Sequence, residues 1–103
     1  MYIAVLDEFP DYMVPTLVAH SVLSAHLKFQ DNEDYKDWLE NSFKKCVIRV
    51  NKKEFLKIMW LDNIHIGHEV HTLEGKPSCV VVCPRKSNAN VLTYAKLWKP
   101  LNT

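Results

Sequence analysis

The sequence predicts an α/β domain built on a mixed four-stranded sheet with helices on both faces. Short apolar runs of strand length alternate along the chain with segments whose apolar residues recur at helical spacing. The elements follow the order β-α-α-β-α-β-β-α, so a helical crossover joins the first two strands and makes them parallel. The last two strands are close enough in the chain to form an antiparallel hairpin. This alternation favours one sheet covered on both sides.

Size and composition indicate one compact unit. A chain of 103 residues, 48% of them hydrophobic, is expected to form one domain over residues 1–103 with one core. No stretch resembles a signal peptide or approaches the roughly twenty apolar residues of a membrane helix, so we expect a cytoplasmic protein that does not enter membranes. The cysteines Cys46, Cys79 and Cys83 lack the spacing of a disulfide framework or a zinc site. We expect them to be buried, reduced thiols.

The first twenty-nine residues predict a strand, a turn and a helix. Residues 2–6 form an apolar run of strand length, and the Phe9-Pro10-Asp11 stretch is typical of a turn. Pro15 suits a first helical turn, and the helix is expected to continue to Leu27 or slightly further. The predicted buried stripe of this helix consists of Val18, Val22, Ala25 and Phe29, widened by Ala19, Leu23 and Leu27. The predicted polar side consists of Thr16, His20, Ser21, Ser24 and Lys28.

Two further helices and a strand follow. Asp31 or Asn32 is expected to cap a short second helix, whose inward face consists of Tyr35, Trp38 and Leu39. Residues 45–50 form a β-branched strand. Asn51 and Glu54 then have the spacing of a capping box, which predicts the start of a third helix.

The last part of the chain predicts a hairpin and a closing helix. Residues 64–73 form a polar, histidine-rich strand, and residues 78–83 form an apolar strand expected in the interior of the sheet. Ser87 or Asn88 is expected to cap a last helix that Pro100 stops. The buried face of that helix consists of Val91, Leu92, Ala95 and Trp98.

Five histidines are the residues most suggestive of chemistry. His65, His68 and His71 invite a metal interpretation, but in a regular strand residues 65 and 71 share one face and residue 68 takes the other. We therefore predict no metal site and no cofactor. His26 falls within the apolar side of the first helix, which indicates a hydrogen-bonded structural histidine.

His20 is the best candidate for a functional residue. It lies one turn into the first helix, near the end of the first strand, where open α/β sheets collect anionic ligands. Thr16 and Ser24 lie on the same polar side, and Asp7 follows the strand. We predict that anions or nucleotides bind near these residues.

The order of elements and several segments resemble the peptidyl-tRNA hydrolase 2 family, in particular its divergent and small phage-borne members. Residues 2–7 are similar to the opening strand of that family, and residues 17–20 to the helix segment in which the family has Ala-Ala-Gln. The run Cys-Val-Val-Val-Cys-Pro at residues 79–84 is similar to its last strand, and residues 92–99 to its closing helix. The resemblance covers nearly the whole chain. It implies the fold of that family and, by extension, a tRNA ligand and a homodimer.

The sequence departs from this family at the residues that carry catalysis. Val14 stands where the family has a catalytic lysine, and His20 replaces its glutamine. No aspartate occurs between Gly67 and Pro84, where the family has an Asp-Ala-Gly-x-Thr segment. We therefore expect a binding module for RNA, a nucleotide or a protein partner that is inactive as a hydrolase.

The alternative is a hydrolase with a rewired active site that acts on an aminoacyl or peptidyl ester of tRNA. In this hypothesis His20 is the general base, and Glu69 or Glu74 orients it or stabilises charge. A general base alone supplies about a hundredfold to ten-thousandfold rate enhancement, so the alternative also requires an electrophilic group.

Overall fold

A five-stranded mixed sheet forms the centre of this computed structural model, which describes residues 1–69 and 75–101. The strands are β1 (Tyr2–Leu6), β2 (Cys46–Val50), β3 (Ile64–Glu69), β4 (Lys76–Val82) and β5 (Lys96–Leu97), in the order β3-β4-β1-β2-β5. β1 and β2 are parallel, and every other pair is antiparallel. The predicted parallel crossover and the predicted hairpin are thus confirmed. The α/β class is confirmed as well, but the prediction of four strands is wrong.

Four helices are α1 (Val14–Phe29), α2 (Glu33–Asn41), α3 (Lys52–Met59) and α4 (Asn90–Thr93), and a 3-10 turn at Asp11–Met13 precedes α1. α1 and α3 lie on opposite faces of the sheet. Ser21 of α1 lies against Gly67 of β3, which is paired with Cys79, and Cys79 is paired with Val5. Leu6, the next residue of β1, points to the other face and lines a cavity with Phe55 of α3. Helices therefore cover both sides of the sheet.

The predicted helix caps are confirmed for α2 and α3. Asn32, rather than Asp31, caps α2, and its side-chain oxygen accepts the backbone N–H of Tyr35 at 3.0 Å. Asn51 and Glu54 form the full capping box of α3, with reciprocal hydrogen bonds of 2.9 and 3.0 Å. In both places a short polar side chain satisfies N–H groups that the first helical turn leaves unpaired.

The fifth strand replaces most of the predicted closing helix. α4 lasts only four residues and begins after Ala89 without a side-chain cap, so neither Ser87 nor Asn88 caps it. The chain then extends as β5 along the edge of β2, and the Trp98 N–H donates to Val47 O at 2.9 Å. Pairing of the open edge of β2 explains this difference, because an unpaired edge leaves N–H and C=O groups without partners.

Arg49 of β2 secures this last segment. Its guanidinium donates to Lys99 O at 2.6 Å and forms an ion pair with the Asp11 carboxylate at 3.1 Å. The second oxygen of Asp11 accepts the Leu101 N–H at 2.7 Å. The end of the described chain is thereby joined to the turn that leads into α1.

The buried side of α1 differs from the prediction. Ser21 is only 3% exposed and faces the sheet, whereas Leu23 and Leu27 are each 66% exposed. The helix therefore lies rotated from the orientation that its most apolar stripe predicts. His26 does have the predicted structural role, since its Nδ1 lies 2.9 Å from the Tyr35 hydroxyl.

Other expectations are met in part. β3 begins as predicted, but residues 70–74, which include His71 and Glu74, lie outside the described residues. Cys79 and Cys83 are buried free thiols, whereas Cys46 is only half-buried. No helix within residues 1–69 and 75–101 has both the length and the apolar character that crossing a membrane requires.

Candidate functional site

A cleft of about 230 Å³ lies between α1 and β3 and contains two of the four candidate residues. His20 and Ser24 of α1 line one side, and His65 and His68 of β3 line the other. The remaining lining residues are Leu17, Ser21, Ile66, Gly67 and Ser78. Two of the predicted site residues are therefore brought together, in the company of two histidines that the sequence did not assign to this site.

A close approach of α1 to β3 forms the floor of the cleft. A Cβ atom on Gly67 would lie 2.1 Å from Ser21 Oγ and 3.0 Å from Ser21 Cβ, so no larger residue fits there without displacing the helix. The Ser78 hydroxyl donates to Gly67 O at 3.2 Å beneath this contact. The glycine thus sets how near His20 and Ser24 come to the histidines of β3.

A β-bulge lies in the β3–β4 pairing beside the cleft. The register pairs Gly67 with Cys79 but His68 with Pro77, so Ser78 of β4 is the extra residue. Ser78 lines the cleft together with residues of β3, among them His65 and His68. Because the extra residue belongs to β4, the predicted alternation of His65 and His68 along β3 is not contradicted.

The cleft is electrostatically suited to anions. Among the described residues that line it, none is an aspartate or a glutamate. Lys28, on the same helix, donates to Ile64 O of β3 at 2.6 Å, which holds its ammonium group close by. Burial, together with the nearby Lys28 and His68, lowers the pKa of His65, so this imidazole is neutral at pH 7 and can both donate and accept a hydrogen bond.

Metal binding and thiol chemistry find less support at this site. Over the described parts of the chain, no three or more His, Cys, Asp or Glu side chains are arranged to hold a metal ion. Cys79 lies beneath the cleft, but burial raises the pKa of its thiol to about 11, although hydrogen bonds from Ser21 and Ser78 act in the opposite direction. A thiol with this pKa is protonated at neutral pH and is a poor nucleophile.

The other predicted site residues lie elsewhere. Asp7 lines a separate depression with Arg49 and Glu54 at the carboxyl end of β1. Thr16 is exposed in the first turn of α1 and is not among the residues that line the cleft. The expectation that Asp7, Thr16 and His20 line one place is therefore not met.

The carboxylates assigned to the rewired hydrolase fall outside the side chains that the structure describes. Glu74 lies outside the described residues, and the structure describes Glu69 only through its backbone pairing with Lys76.

Sequence reasoning missed His65, His68 and Gly67 as site residues. The sequence did contain a signal for Gly67, because a glycine inside a strand often marks a place where another part of the chain approaches closely. Comparison of the chain with known protein families and with curated proteins finds no match. The site is therefore interpreted from its own geometry.

Proposed function

We propose that this protein is a binding module, without hydrolase activity, that holds a phosphate group of an RNA or a nucleotide in the cleft between α1 and β3. The observation that carries the proposal is the lining of the cleft, where His20, His65 and His68 meet serine residues and none of the described lining residues is a carboxylate. Imidazole N–H groups and hydroxyls donate hydrogen bonds to phosphate oxygens, and a carboxylate would repel them.

The size of the cleft supports a small anionic group rather than a whole cofactor. Its volume of about 230 Å³ is below the roughly 300–1,000 Å³ typical of pockets that enclose a drug-sized ligand. One phosphate of a longer chain fits such a space, while the rest of the ligand remains over the surface. His20, Ser24 and His68 are exposed and accessible to such a ligand.

The resemblance to peptidyl-tRNA hydrolase 2 is consistent with this function, and we include the family fold in the proposal. The parallel β1–β2 pair joined through α1 and α2 supports it. A hydrolase also needs groups that stabilise the developing oxyanion, and removal of one such donor costs about a hundredfold to a thousandfold in rate. Val14 can neither donate a hydrogen bond nor carry charge, so we propose binding without turnover.

Nuclear magnetic resonance titrations test the proposed site. Inorganic phosphate, a mononucleotide and a short RNA are added separately to the ¹⁵N-labelled protein. Backbone shift changes are expected at residues 20–24 and 65–68 in all three titrations, with the RNA binding most tightly and losing affinity as salt is raised. Shift changes for all three ligands that leave residues 20–24 and 65–68 unaffected would overturn the proposal.

A pair of variants on α1 sharpens this test. His20→Ala removes a cleft side chain, whereas Thr16→Ala changes an exposed residue of the same helix outside the cleft. We expect the RNA affinity to fall at least about tenfold in His20→Ala, which corresponds to the loss of one hydrogen bond to a charged group, and to be unchanged in Thr16→Ala. Equal effects of the two substitutions would contradict the assignment.

One observation keeps the rewired hydrolase as a second candidate. Burial lowers the pKa of His65, so a neutral imidazole able to accept a proton lies in the cleft with His20 at pH 7. Release of labelled peptide from N-acylaminoacyl-tRNA measures this activity, with an active peptidyl-tRNA hydrolase as the positive control. We expect no appreciable release. Turnover within about tenfold of the control, lost in His20→Ala, would favour the hydrolase.

A further inference from the structure

The outward side of α1 lacks the charged residues that a solvent-facing helix normally carries. Among its sixteen residues, Lys28 is the only Asp, Glu, Lys or Arg. Ala19, Leu23 and Leu27 follow each other at four-residue spacing on the outward side, and both leucines are 66% exposed. A helix that is apolar on its outer side as well as its inner side is typically buried on both.

An apolar groove lies beside these residues. It has a volume of about 450 Å³, and α1 and α2 form its walls. Ala19, Val22 and Leu23 of α1 line one wall. Leu39 of α2 and Phe43 line the other wall and remain 38% and 57% exposed. We call the continuous surface formed by Ala19, Val22, Leu23, Leu27, Leu39 and Phe43 the α1–α2 face.

We propose that the α1–α2 face is the interface of a homodimer, in which each copy covers the face of the other. A standard interface buries about 800 Å² per partner, a little more than half of it apolar. The exposed parts of Leu23, Leu27, Leu39 and Phe43, with the smaller residues between them, offer apolar area on the order of 400 Å². The face therefore supplies about the apolar area that one side of such a dimer needs.

Shape and charge both favour a second copy over an unrelated partner. The Leu23–Leu27 ridge lies directly beside the groove, so a two-fold axis can place the ridge of each copy in the groove of the other. The two basic side chains among the described residues that line the groove, His26 and Lys45, already have partners within the chain. His26 contacts the Tyr35 hydroxyl, and the Lys45 ammonium lies 3.3 Å from the centroid of the Phe43 ring. Two such faces can meet without burying an unpaired charge, whereas specific recognition of a foreign partner generally uses complementary charges.

This interface is separate from the proposed ligand site. The cleft residues His20 and Ser24 lie on the flank of α1 that faces β3, and the groove lies on the flank that faces α2. The dimer and the proposed function can therefore succeed or fail independently.

Sedimentation equilibrium of the full chain tests the proposal at protein concentrations from about 1 to 200 μM. We expect a monomer–dimer equilibrium for the parent protein. Leu23→Glu should raise the dimer dissociation constant at least about a hundredfold, because two-fold symmetry buries two new carboxylates in the interface. Leu56→Glu is the matched control, since Leu56 is 49% exposed on α3 and lies outside the α1–α2 face. It should leave the dissociation constant unchanged.

Isotope-filtered nuclear Overhauser measurements on a mixed labelled and unlabelled sample provide a test that needs no substitution. We expect intermolecular signals between the methyl groups of Leu23 or Leu27 and the ring of Phe43. A parent protein that is monomeric at 200 μM would overturn the proposal. So would a dimer that withstands Leu23→Glu, dissociates in Leu56→Glu, or shows no intermolecular signal at Leu23, Leu27 or Phe43.

Discussion

Replacement of Gly67 by alanine is expected to destabilise the protein by about 2 kcal/mol, within the range of roughly 1–3 kcal/mol for overpacking a well-packed core. The added Cβ would lie 2.1 Å from Ser21 Oγ and 3.0 Å from Ser21 Cβ. A rotation of the Ser21 hydroxyl relieves only the first of these contacts and leaves Ser21 Cβ at 3.0 Å from the added Cβ. Either α1 or β3 must therefore shift.

The contact with Ser21 can be isolated by a double-mutant cycle. Ser21→Gly removes both clashing atoms and leaves Ser21 Cα at 3.6 Å from the new Cβ, an ordinary van der Waals distance. Ser21→Gly alone should cost about 1 kcal/mol, because glycine is a poor residue for a helix interior. In that background Gly67→Ala should cost less than about 0.5 kcal/mol, which gives an interaction energy of roughly 1.5 kcal/mol.

Urea unfolding of the four proteins measures these quantities, and thermal melts should show Gly67→Ala lowered by roughly 10 °C. Gly75→Ala is a specificity control. Gly75 has a φ of +75° and no neighbour near its added Cβ, so its substitution should cost about 1 kcal/mol through backbone strain that Ser21→Gly does not relieve. The close approach of α1 to β3 is refuted if the free energy of unfolding of Gly67→Ala lies within about 0.5 kcal/mol of that of the parent protein. It is also refuted if the destabilisations caused by Gly67→Ala and Ser21→Gly are additive.

Three further predictions concern other parts of the structure. Asn51→Ala should lower the free energy of unfolding by about 1 kcal/mol through loss of the α3 cap, and superimposable urea melts would contradict this. Because the pKa of His65 is lowered in the folded protein, His65 takes up a proton near pH 6.5 in the unfolded chain but only at lower pH in the folded protein. Stability should therefore fall as the pH drops below about 6.5, and His65→Asn should flatten that part of the stability profile. Because burial raises the pKa of Cys79 to about 11, its thiol should react with a disulfide reagent at pH 8 only after unfolding. Rapid modification of Cys79 in the native protein would show that it is accessible.

The features that the sequence predicted best are those set by neighbouring residues. Asn51 and Glu54 are three positions apart, and the side chain of each accepts a hydrogen bond from the backbone N–H of the other. This pairing therefore does not depend on the rest of the fold. Asn32 caps α2 for the same local reason. The parallel pairing of β1 and β2 follows from the helical crossover between them.

The orientation of α1 against the sheet could not be predicted from neighbouring residues. Its periodicity favours Leu23 and Leu27 as buried residues and Ser21 as exposed, and the structure reverses both assignments. Ser21 is buried because Gly67, which has no side chain, leaves space for it against β3. Gly67 lies far away in the chain, and the apolar spacing of one helix contains no information about it.

The site was predictable only on its α1 side. His20 and Ser24 could be placed by their position on the helix, but their partners depend on the register of β3 against β4. The shift between Gly67 and His68 makes Ser78 of β4 an extra residue beside the cleft, and a pattern of alternating residues cannot reveal a register shift.

The ties that Arg49 makes to Lys99 and Asp11 have a consequence for how the protein folds during its synthesis. β1 needs β4 as its antiparallel neighbour, β2 needs β5, and the entrance to α1 is anchored by Leu101. None of the early elements can therefore complete its contacts until the residues near position 100 have left the ribosome. Pairings between distant segments also slow folding, because the loops that they close cost entropy before the contacts form. We expect nascent chains that stop before residue 96 to remain sensitive to proteases, and folding to finish only after synthesis has passed this point.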